Sequence, residues 1–386
     1  MHTVRVSRKG SQRLASGHPW VFAGDIESHG EAAGGEAVRV EDSQGRFLGV
    51  AHYSDQSQIS LRLLDSAAAV VDREFFFGRF RAAQAHRERV VNDTEAWRAV
   101  HAEADGLPGL IVDWYAGHLV LQTLSQGMAS VEPLIAECLR EVYRPVSVTA
   151  RNDAAVRARE GLPRHCAVIA GQAPGRIALR MNGLIWHADL LGGQKTGLFL
   201  DQRENYRAAA RYGMGRALDC FTSTGGFALH LAARCDAVEG VDSSAAAIQT
   251  AEANRQANGI GNVSFRQADV FDLLAGYAAA GRRFETVVLD PPAFAKSRAA
   301  VESALRGYRD INYRALRLLA HGGVLVTCSC SHHVSEAALL KVIAAASLDA
   351  GRPLRILERR TQAADHPILL TVPETHYLKC LILQSL

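Results

Sequence analysis

The chain has 386 residues, of which 48% are hydrophobic, 22% charged and 7% aromatic, and its formal net charge is +3. At about 100 to 200 residues per domain, this length predicts two or three domains that each bury a core, and it excludes disorder for most of the chain. No apolar run approaches the roughly 18 residues of a membrane span, and the charged start lacks the apolar centre of a signal peptide. We therefore expect a cytoplasmic protein.

Positive charge is concentrated at the N-terminus, ahead of the first acidic residue. The residues concerned are Arg5, Arg8, Lys9 and Arg13, and the first acid is Asp25. Such a cluster indicates either contacts with nucleic-acid phosphates or an exposed basic start without a ligand.

The first part of the chain is typical of a small all-β domain followed by a helix. Between residues 4 and about 64, short apolar segments separated by glycine-rich turns predict a β-barrel. The run 72–90 then shows helical spacing, and a domain boundary near Val71 fits this change. The residues at helical spacing are Phe76, Phe80, Ala83 and Arg87.

The region 97–185 predicts a second small domain of the α+β type. Four strand-like segments accompany one helix at about 128–141, and the glycines of 106–110 predict a turn. Nothing in this region looks like a catalytic cluster.

After Asp201 the pattern becomes a strict alternation of apolar strands and helices, which predicts a parallel, doubly wound sheet. The predicted strands are 217–221, 237–242, 263–269, 286–290 and 323–328. The predicted helices are 226–234, 244–257, 271–280, 301–320 and 334–348.

In such a sheet, ligands bind beyond the carboxyl ends of the strands. Asp219 precedes a turn of small residues, and Asp242 lies about 20 residues further on, where an acid can accept both ribose hydroxyls of an adenosine. Asp269 is placed to meet an adenine amine. Each signal is weak alone, because Asp242 and Asp269 could cap the helices that follow them and the turn lacks the full G-x-G-x-x-G pattern.

The run Asp290-Pro291-Pro292 after the fourth strand is more specific. Two prolines fix the backbone directly after a buried strand, so the acid before them would point into the cleft. A plain strand-ending turn is the structural alternative.

The seven cysteines form an odd set, which argues against a disulfide framework. Two of them, Cys328 and Cys330, lie at the end of the fifth predicted strand. Cys328 and Cys330 with His332 and His333 match no common zinc spacing, so we predict no metal site, and both thiols could be small apolar fillers. The functional interpretation is a thiol at a strand end, with its pKa lowered by a helix that begins near Val334. Cys330 is the better candidate because it lies further into the cleft.

Together these motifs resemble the class I S-adenosylmethionine-dependent methyltransferases of the bacterial 23S rRNA cytosine-5 type. The resemblance extends over nearly the whole chain, in HPWVFAGDI (18–26), SQISLRLL (57–64), EADGLPGLIVDWY (103–115), KTGLFLDQREN (195–205), DCFTSTGGFALHLA (219–232), VLDPPAFAKS (288–297), TCSCSHH (327–333) and ADHP (364–367). It implies an α/β fold with a PUA-like RNA-binding β-barrel at 1–72, a central α+β domain at 73–186 and a Rossmann-like doubly wound methyltransferase domain at 187–386.

The resemblance also implies site residues. Contacts to S-adenosylmethionine would come from Lys195, Phe199, Asp201, Gln202, Arg203, Asp219, Phe221, Thr224, Gly225, Gly226, Asp242, Asp269 and Asp290. Cys330 matches the catalytic thiol of the family, and Asp290 is the second catalytic residue.

The chemistry of cytosine C5 explains the need for a thiol. C5 is a poor nucleophile, but a thiolate that adds to C6 breaks the aromaticity and lets C5 attack a sulfonium methyl group. Asp290 would hydrogen-bond the base at N3 and N4. The group that removes the C5 proton stays open among His332, His333 and a bound water.

A base that meets both thiol and methyl donor must leave its stack, so the RNA would be single-stranded or flipped. We expect 23S rRNA as the partner, either naked or in a large-subunit assembly intermediate, and no membrane partner; a homodimer is left open. The PUA-like domain would contact this RNA through Arg5, Arg8, Lys9, Arg13 and Trp20. Trp20 could instead belong to the core.

Three other functions remain as alternatives. A nitrogen methyltransferase of the guanine-N2 type would leave Cys330 dispensable. A non-catalytic ribosome-assembly factor would fail to bind S-adenosylmethionine. A nicotinamide dehydrogenase is disfavoured because G-x-G-x-x-G is absent and DPPAF is present.

Overall fold

The computed structural model describes residues 1–67, 70–193, 196–295 and 297–386. These residues form two compact units. The first unit comprises residues 1–183, 188–200 and 364–375, and the second comprises 184–187, 201–363 and 376–386. The domain boundaries at 72/73 and 186/187 stay predictions. Among the described helices, none combines the length and apolar character that a bilayer span would need.

The first unit begins with a six-stranded sheet in the order β2-β6-β5-β4-β1-β3. Its strands are β1 (Thr3–Val6), β2 (Trp20–Phe22), β3 (Ile26–Ser28), β4 (Ala37–Asp42), β5 (Phe47–Tyr53) and β6 (Ile59–Asp65). Alternating buried valines such as Val4, Val6, Val38 and Val40 give this sheet its own core. The all-β prediction is therefore correct for the strands.

The helix α1 (Arg8–Ala15) within this region was missed by the sequence prediction. Its N-cap is Ser7, whose hydroxyl accepts a hydrogen bond from the backbone N–H of Gly10 at 3.2 Å. The helix carries three of the four N-terminal basic residues.

The predicted helix after the barrel is present as α2 (Arg73–Val90), capped by Asp72. The four side chains at helical spacing in the sequence, Phe76, Phe80, Ala83 and Arg87, are its buried residues. The periodicity therefore identified the inward face of this helix.

A five-stranded sheet follows, in the order β11-β10-β9-β8-β7. Its strands are β7 (Ala96–His101), β8 (Leu110–Tyr115), β9 (His118–Thr123), β10 (Ser147–Asn152) and β11 (His165–Gly171), and β12 (Arg176–Met181) and β13 (Leu184–Asp189) come next in the chain. The single predicted helix is in fact two helices, α3 (Gln126–Ser130) and α4 (Glu132–Tyr143), because Pro133 begins the second one. The strand β11 was not predicted.

The second unit contains a seven-stranded sheet in the order β16-β15-β14-β17-β18-β20-β19. Its strands are β14 (Arg216–Cys220), β15 (Ala237–Asp242), β16 (Val263–Gln267), β17 (Phe284–Leu289), β18 (Leu319–Ser329), β19 (Leu354–Arg360) and β20 (Lys379–Ser385). Its helices are α5 (Arg203–Tyr212), α6 (Gly226–Leu231), α7 (Ala245–Ala257), α8 (Val270–Ala279), α9 (Val301–Leu318) and α10 (Glu336–Asp349).

The five predicted βα units are all present, and their strands pair in parallel. The prediction of a wholly parallel sheet is wrong at one edge, because β20 runs antiparallel to both β18 and β19. The strand order reverses between β14 and β17, and in an open α/β sheet this switch point is where ligands bind. The functional residues are therefore sought at the carboxyl ends of these two strands.

Candidate active site

Asp219 lies near the end of β14 and is fully buried. Its Oδ2 accepts hydrogen bonds from the hydroxyl of Thr222 at 2.6 Å and from the backbone N–H of Ala228 at 2.9 Å. Its Oδ1 is buried without a hydrogen-bond partner in the described structure. The pKa of Asp219 is raised from 3.8 to about 7, mainly by burial and in smaller part by the nearby carboxylates of Asp290 and Asp242. A buried acceptor of this kind is completed by a ligand that donates to it.

The turn that follows Asp219 has a backbone that most residues avoid. Phe221 has φ of 63°, Ser223 has φ of 49° and Gly225 has φ of 94°. A bulky aromatic residue at positive φ is a strained outlier, and such strain is concentrated at binding sites. Gly226 is required by space, because a Cβ atom there would lie 2.4 Å from the Tyr206 ring. The turn therefore brings main chain, rather than side chains, to the switch point.

Asp242, at the end of β15, ties this turn to the next strand. Its carboxylate accepts from the backbone N–H of Ser223 at 3.0 Å and from that of Ser244 at 2.9 Å. The cap of α7 is Ser244 rather than Asp242, because the Ser244 hydroxyl accepts from Ala247. The capping alternative for Asp242 is therefore wrong, and the role in ribose binding stays a prediction.

Asp269, unlike Asp242, caps the helix that follows it. It is the N-cap of α8, and its Oδ1 accepts from the backbone N–H groups of Phe271 at 2.8 Å and Asp272 at 3.1 Å. The capping role that the sequence left open is therefore present. Asp269 is exposed, so a contact to a ligand through its other oxygen is compatible with capping and stays a prediction.

Asp290, directly after β17, is joined to the segment before α5. Gln202 donates to Asp290 Oδ1 at 3.0 Å, and Asn205 donates to the Gln202 side-chain oxygen at 2.7 Å. Asp201 is buried and accepts a 2.8 Å hydrogen bond from the hydroxyl of Tyr377. A continuous polar chain thus fixes the carboxylate that follows the switch-point strand.

The neighbouring residue Arg203 is also buried, and its guanidinium lies 3.8 Å from the carboxylate of Glu204. Thr224 contributes its backbone carbonyl, which accepts from Asn254 at 3.0 Å. These contacts hold the segments on either side of the turn.

Two further residues of the predicted cofactor set, Lys195 and Phe199, stay predictions. Lys195 lies outside the described residues. Phe199 is partly buried and belongs to the first unit. Its segment is fixed there by Thr196, which donates to Asp113 at 2.5 Å, and by the hydroxyl of Tyr115, which accepts from the N–H of Leu198 at 3.2 Å.

The two cysteines after the switch point are not equivalent. Cys328 lies inside β18, is fully buried and faces Cys380 of β20 across the antiparallel pair. Burial raises the pKa of the Cys328 thiol well above 9.0, and contact with Cys380 raises it further. Cys330 follows the strand, is partly exposed, and its Sγ is 3.9 Å from the carbonyl oxygen of Pro291. Geometry therefore favours Cys330 as the reactive thiol.

The helix expected to activate this thiol begins later than predicted. The α10 helix starts at Glu336 with Ser335 as its N-cap, rather than near Val334. The field of a helix terminus falls off within its first turn, and Cys330 lies five residues before the cap in the sequence. Within the described residues, no group of three or more potential ligands is arranged around a metal ion.

Several residues near Cys330 were missed by sequence reasoning. Tyr308 of α9 is buried, and its hydroxyl lies 2.9 Å from the hydroxyls of both Ser329 and Ser331. Lys379, the first residue of β20, is 2% exposed, and its ammonium donates to the carbonyl oxygen of Ser331 at 2.8 Å. A charged residue opening an otherwise apolar strand, KCLILQS, was the available signal.

The predicted RNA-binding residues lie in the first unit. Arg8 is exposed, and Lys9 is 75% exposed with its ammonium 3.6 Å from Asp25. Arg5 is exposed and lies 3.8 Å from Glu41. These positions leave cationic groups available at the surface.

Two further residues of that set are more enclosed. Arg13 stacks its guanidinium 4.6 Å from the centre of the Phe22 ring. Trp20 is partly buried, and its indole N–H donates to Glu103 at 3.0 Å. The alternative interpretation, in which Trp20 is a core residue, is therefore correct only in part, because the side chain is not fully buried.

The carboxylates and main-chain groups at the strand ends of the second unit fit S-adenosylmethionine. The carboxylates at three strand ends suit a ligand with ribose hydroxyls and a positive charge, and the orphaned Asp219 oxygen needs a donor. The strained turn supplies main-chain groups at close approach.

Two family models match this chain. The one described as a PUA-like domain covers residues 4–66, and the one described as an S-adenosylmethionine-dependent methyltransferase covers residues 104–382. Proteins named ribosomal RNA large subunit methyltransferase I are similar over almost the full length. That of Aeromonas salmonicida is 41% identical over 98% of both chains, and that of Photobacterium profundum is 41% identical over 96% of both.

A solved structure described as a methyltransferase complexed with SAH has the same fold. It covers 100% of both chains with a TM-score of 0.87 at 20% identity. The resemblance found in the sequence is therefore confirmed, as is the fold class. This chain, with its PUA-like domain and its cofactor S-adenosylmethionine, belongs to the S-adenosylmethionine-dependent methyltransferase family of these ribosomal RNA large subunit methyltransferases I.

Proposed function

We propose that this chain methylates C5 of a cytosine in 23S rRNA, with Cys330 as the nucleophile. The observation that carries the proposal is the contrast between the two thiols at the end of β18. Cys330 is partly exposed beside the residues that follow Asp290, whereas Cys328 is buried against Cys380. Large-subunit rRNA as the substrate is supported by the names of the relatives and by the PUA-like domain.

The cofactor would be held by the residues around the switch point. We assign Asp219, Asp242 and the 221–226 turn to this task, together with Asp201, Gln202 and Asp290. When bound, S-adenosylmethionine supplies an electrophilic sulfonium methyl group. Asp219 keeps an acceptor free for a donor of the ligand, and the turn brings its main chain close without a side chain in the way.

Cys330 would act on the base. Its thiolate forms a bond to C6 of cytosine, and the electron pair of the C5–C6 double bond becomes available at C5. C5 then takes the methyl group as the bond between that methyl and the sulfonium sulfur breaks, its electron pair staying on what becomes a neutral thioether. A base takes the C5 proton, and the C5–C6 double bond reforms as the Cys330 sulfur leaves as a thiolate. His332 and His333 are both exposed after the thiol and remain candidates for that base, together with water.

Asp290 would hold the cytosine ring. Its Oδ1 is fixed by Gln202 at 3.0 Å, which orients the carboxyl group after β17. A carboxyl group near N3 and N4 stabilises the ring form that accepts the thiolate. Asp290→Asn is expected to reduce turnover strongly, and unchanged turnover would remove this role.

The experiment compares three proteins on the same RNA. 23S rRNA is incubated with S-adenosylmethionine and the native chain, Cys330→Ala or Cys328→Ala, and nucleosides are mapped by mass spectrometry. We expect new 5-methylcytosine with the native chain and with Cys328→Ala, and none with Cys330→Ala. Methylation that survives in Cys330→Ala would overturn the proposal in favour of a nitrogen methyltransferase or of Cys328. Absence of cofactor binding by the native chain would favour a non-catalytic assembly factor.

A further inference from the structure

A buried lysine approaches the end of β18 from the neighbouring antiparallel strand. Lys379 opens β20 and pairs with Ser329 in the sheet register. Its ammonium donates to the carbonyl oxygens of Ser331 and Tyr377, both at 2.8 Å. Ser331 directly follows Cys330, so the lysine head is held at the backbone that carries the thiol.

This ammonium is an unusual group to bury. Its residue is 2% exposed, and the two acceptors given above are neutral carbonyls. In the part of the chain that the structure describes, Lys379 forms no ion pair with a carboxylate. A buried cation without an anion is costly, so the structure of the site favours an anion close by.

Cys330 is the group that can become that anion. Burial lowers the pKa of Lys379 to about 8, whereas the charge of Cys330 and, more weakly, that of Glu336 raise it. The ammonium, held at the carbonyl oxygen of Ser331, therefore interacts electrostatically with the thiol of the preceding residue. At neutral pH most of the lysine still carries its proton.

Among the residues that the structure describes, the other charged or titratable groups placed at this end of the sheet do not supply positive charge of this kind. Tyr308 of α9 is neutral at physiological pH, and the sulfur raises the pKa of that tyrosine further. Acidic groups oppose thiolate formation. Within the described ranges, the groups placed at this end of the sheet are Asp290 after β17, Tyr308 of α9, His332 and His333 after the thiol, Glu336 of α10 and Lys379 of β20.

We propose that Lys379 is a positioning residue for the methyl transfer, whose ammonium holds the Cys330 thiol in its thiolate form. The inference rests on the proposed role of Cys330 as the nucleophile. The thiol gives its proton to solvent, and the resulting negative charge is balanced by the ammonium. Each turnover regenerates the thiolate on elimination, so the same pairing serves the start and the end of the reaction.

The test measures the ionisation of one thiol directly. Cys330 is alkylated with iodoacetamide between pH 5.5 and 9.5, and the modified peptide is quantified by mass spectrometry. The proteins compared are the native chain, Lys379→Met, Lys379→Arg and the exposed-lysine control Lys341→Met. We expect the midpoint in Lys379→Met to rise by about one pH unit or more, so that the rate at pH 7 falls roughly tenfold. Lys379→Arg is expected to keep a lowered midpoint, and Lys341→Met to match the native chain.

Two outcomes would overturn the inference. An unchanged midpoint in folded Lys379→Met would show that the ammonium does not act on the thiol. A native midpoint at or above about 8.5, the ordinary value for a free cysteine, would do the same without any variant. The second measurement keeps the inference testable if Lys379→Met does not fold, which circular dichroism would reveal.

Turnover separates this inference from the proposed function. If Cys330 is the nucleophile, kcat of Lys379→Met falls at pH 7 and recovers towards pH 9, with little change in KM for S-adenosylmethionine. If Cys330→Ala still methylates rRNA, the proposed function fails whatever the alkylation profile shows. Suppose instead that Cys330→Ala abolishes methylation while Lys379→Met shows the same alkylation profile as the native chain. Only the proposed role of Lys379 would then be refuted.

Discussion

Replacing Asp219 by Asn is expected to stabilise the folded chain at alkaline pH while it weakens cofactor binding. The carboxyl group is fully buried, and burial raises its pKa from 3.8 to about 7. One of its oxygens is satisfied by Thr222 and Ala228, whereas the other has no hydrogen-bond partner among the residues that the structure describes. The position of this carboxyl group therefore favours ligand binding and lowers the stability of the folded chain.

The magnitude follows from proton linkage. Below pH 4 the group is protonated in both the folded and the unfolded chain and has no effect. Between about pH 4 and pH 7 the unfolded chain has lost this proton and the folded chain still holds it, so the free energy of unfolding falls as the pH rises, and above pH 7 the penalty is constant. At about 1.4 kcal/mol per pH unit, the full penalty is roughly 4 kcal/mol.

An asparagine does not titrate, so this penalty disappears. Its amide group replaces the orphaned oxygen and costs about 1–3 kcal/mol if it finds no acceptor, at every pH. The difference in free energy of unfolding between the variant and the native chain therefore rises by about 2–3 kcal/mol between pH 5 and pH 8.

The assay is thermal unfolding of the native chain, Asp219→Asn and the exposed control Asp236→Asn at several pH values, without cofactor. At about 2–4 °C per kcal/mol, the advantage of Asp219→Asn should grow by roughly 5–10 °C from pH 5 to pH 8. Isothermal calorimetry at pH 7.5 should show S-adenosylmethionine bound roughly 10- to 100-fold more weakly, as for a lost hydrogen bond to a charged group. A difference in Tm that stays constant with pH would refute the reasoning.

Further predictions concern the turn and the RNA surface. Gly226→Ala forces a Cβ to within 2.4 Å of the Tyr206 ring and is expected to cost about 1–3 kcal/mol of stability in urea unfolding, whereas Gly276→Ala, in an open position of α8, should gain about 0.5–1 kcal/mol. Equal effects of the two glycine changes would contradict the steric argument. Arg8→Gln with Lys9→Gln should lower the slope of log affinity against log salt by about 1–2 in filter binding to 23S rRNA, and an unchanged slope would place the RNA elsewhere.

The parallel part of the methyltransferase sheet could be predicted because both its faces are covered. Strands such as β14 and β17 are then nearly continuous apolar runs, and the acids at their ends stand out. The last two strands at one side of the sheet, β20 and β19, could not be predicted in the same way. The strand β19 reads LRILERR, half exposed and rich in arginine, and a pattern of this kind is also compatible with a surface loop or helix.

In the candidate site, too, some features could be predicted from the sequence and others could not. Acids after buried strands could be proposed as ligands from their positions alone, and Asp219, Asp242 and Asp290 do meet at the switch point. Tertiary partners could not be proposed. Nothing in the sequence indicates that Tyr377 would bond to Asp201, because 176 residues separate them and the contact depends on the sheet edge that was missed.

The order of the strands explains how one site can serve two opposed electrostatic needs. A cationic cofactor favours carboxylates, and these follow β14, β15 and β17, where they already raise the pKa of Asp219 by mutual repulsion. A thiolate nucleophile is disfavoured by the same negative charges.

The thiol follows β18, on the far side of β17 from the first two acids, and β18 is the strand that pairs with β20. Because β20 runs antiparallel, its first residue rather than its last lies at this end of the sheet, and that residue is Lys379. The reversal of one strand thus brings a cation to the strand end that carries the thiol, away from the carboxylates of β14 and β15 that we assign to the cofactor.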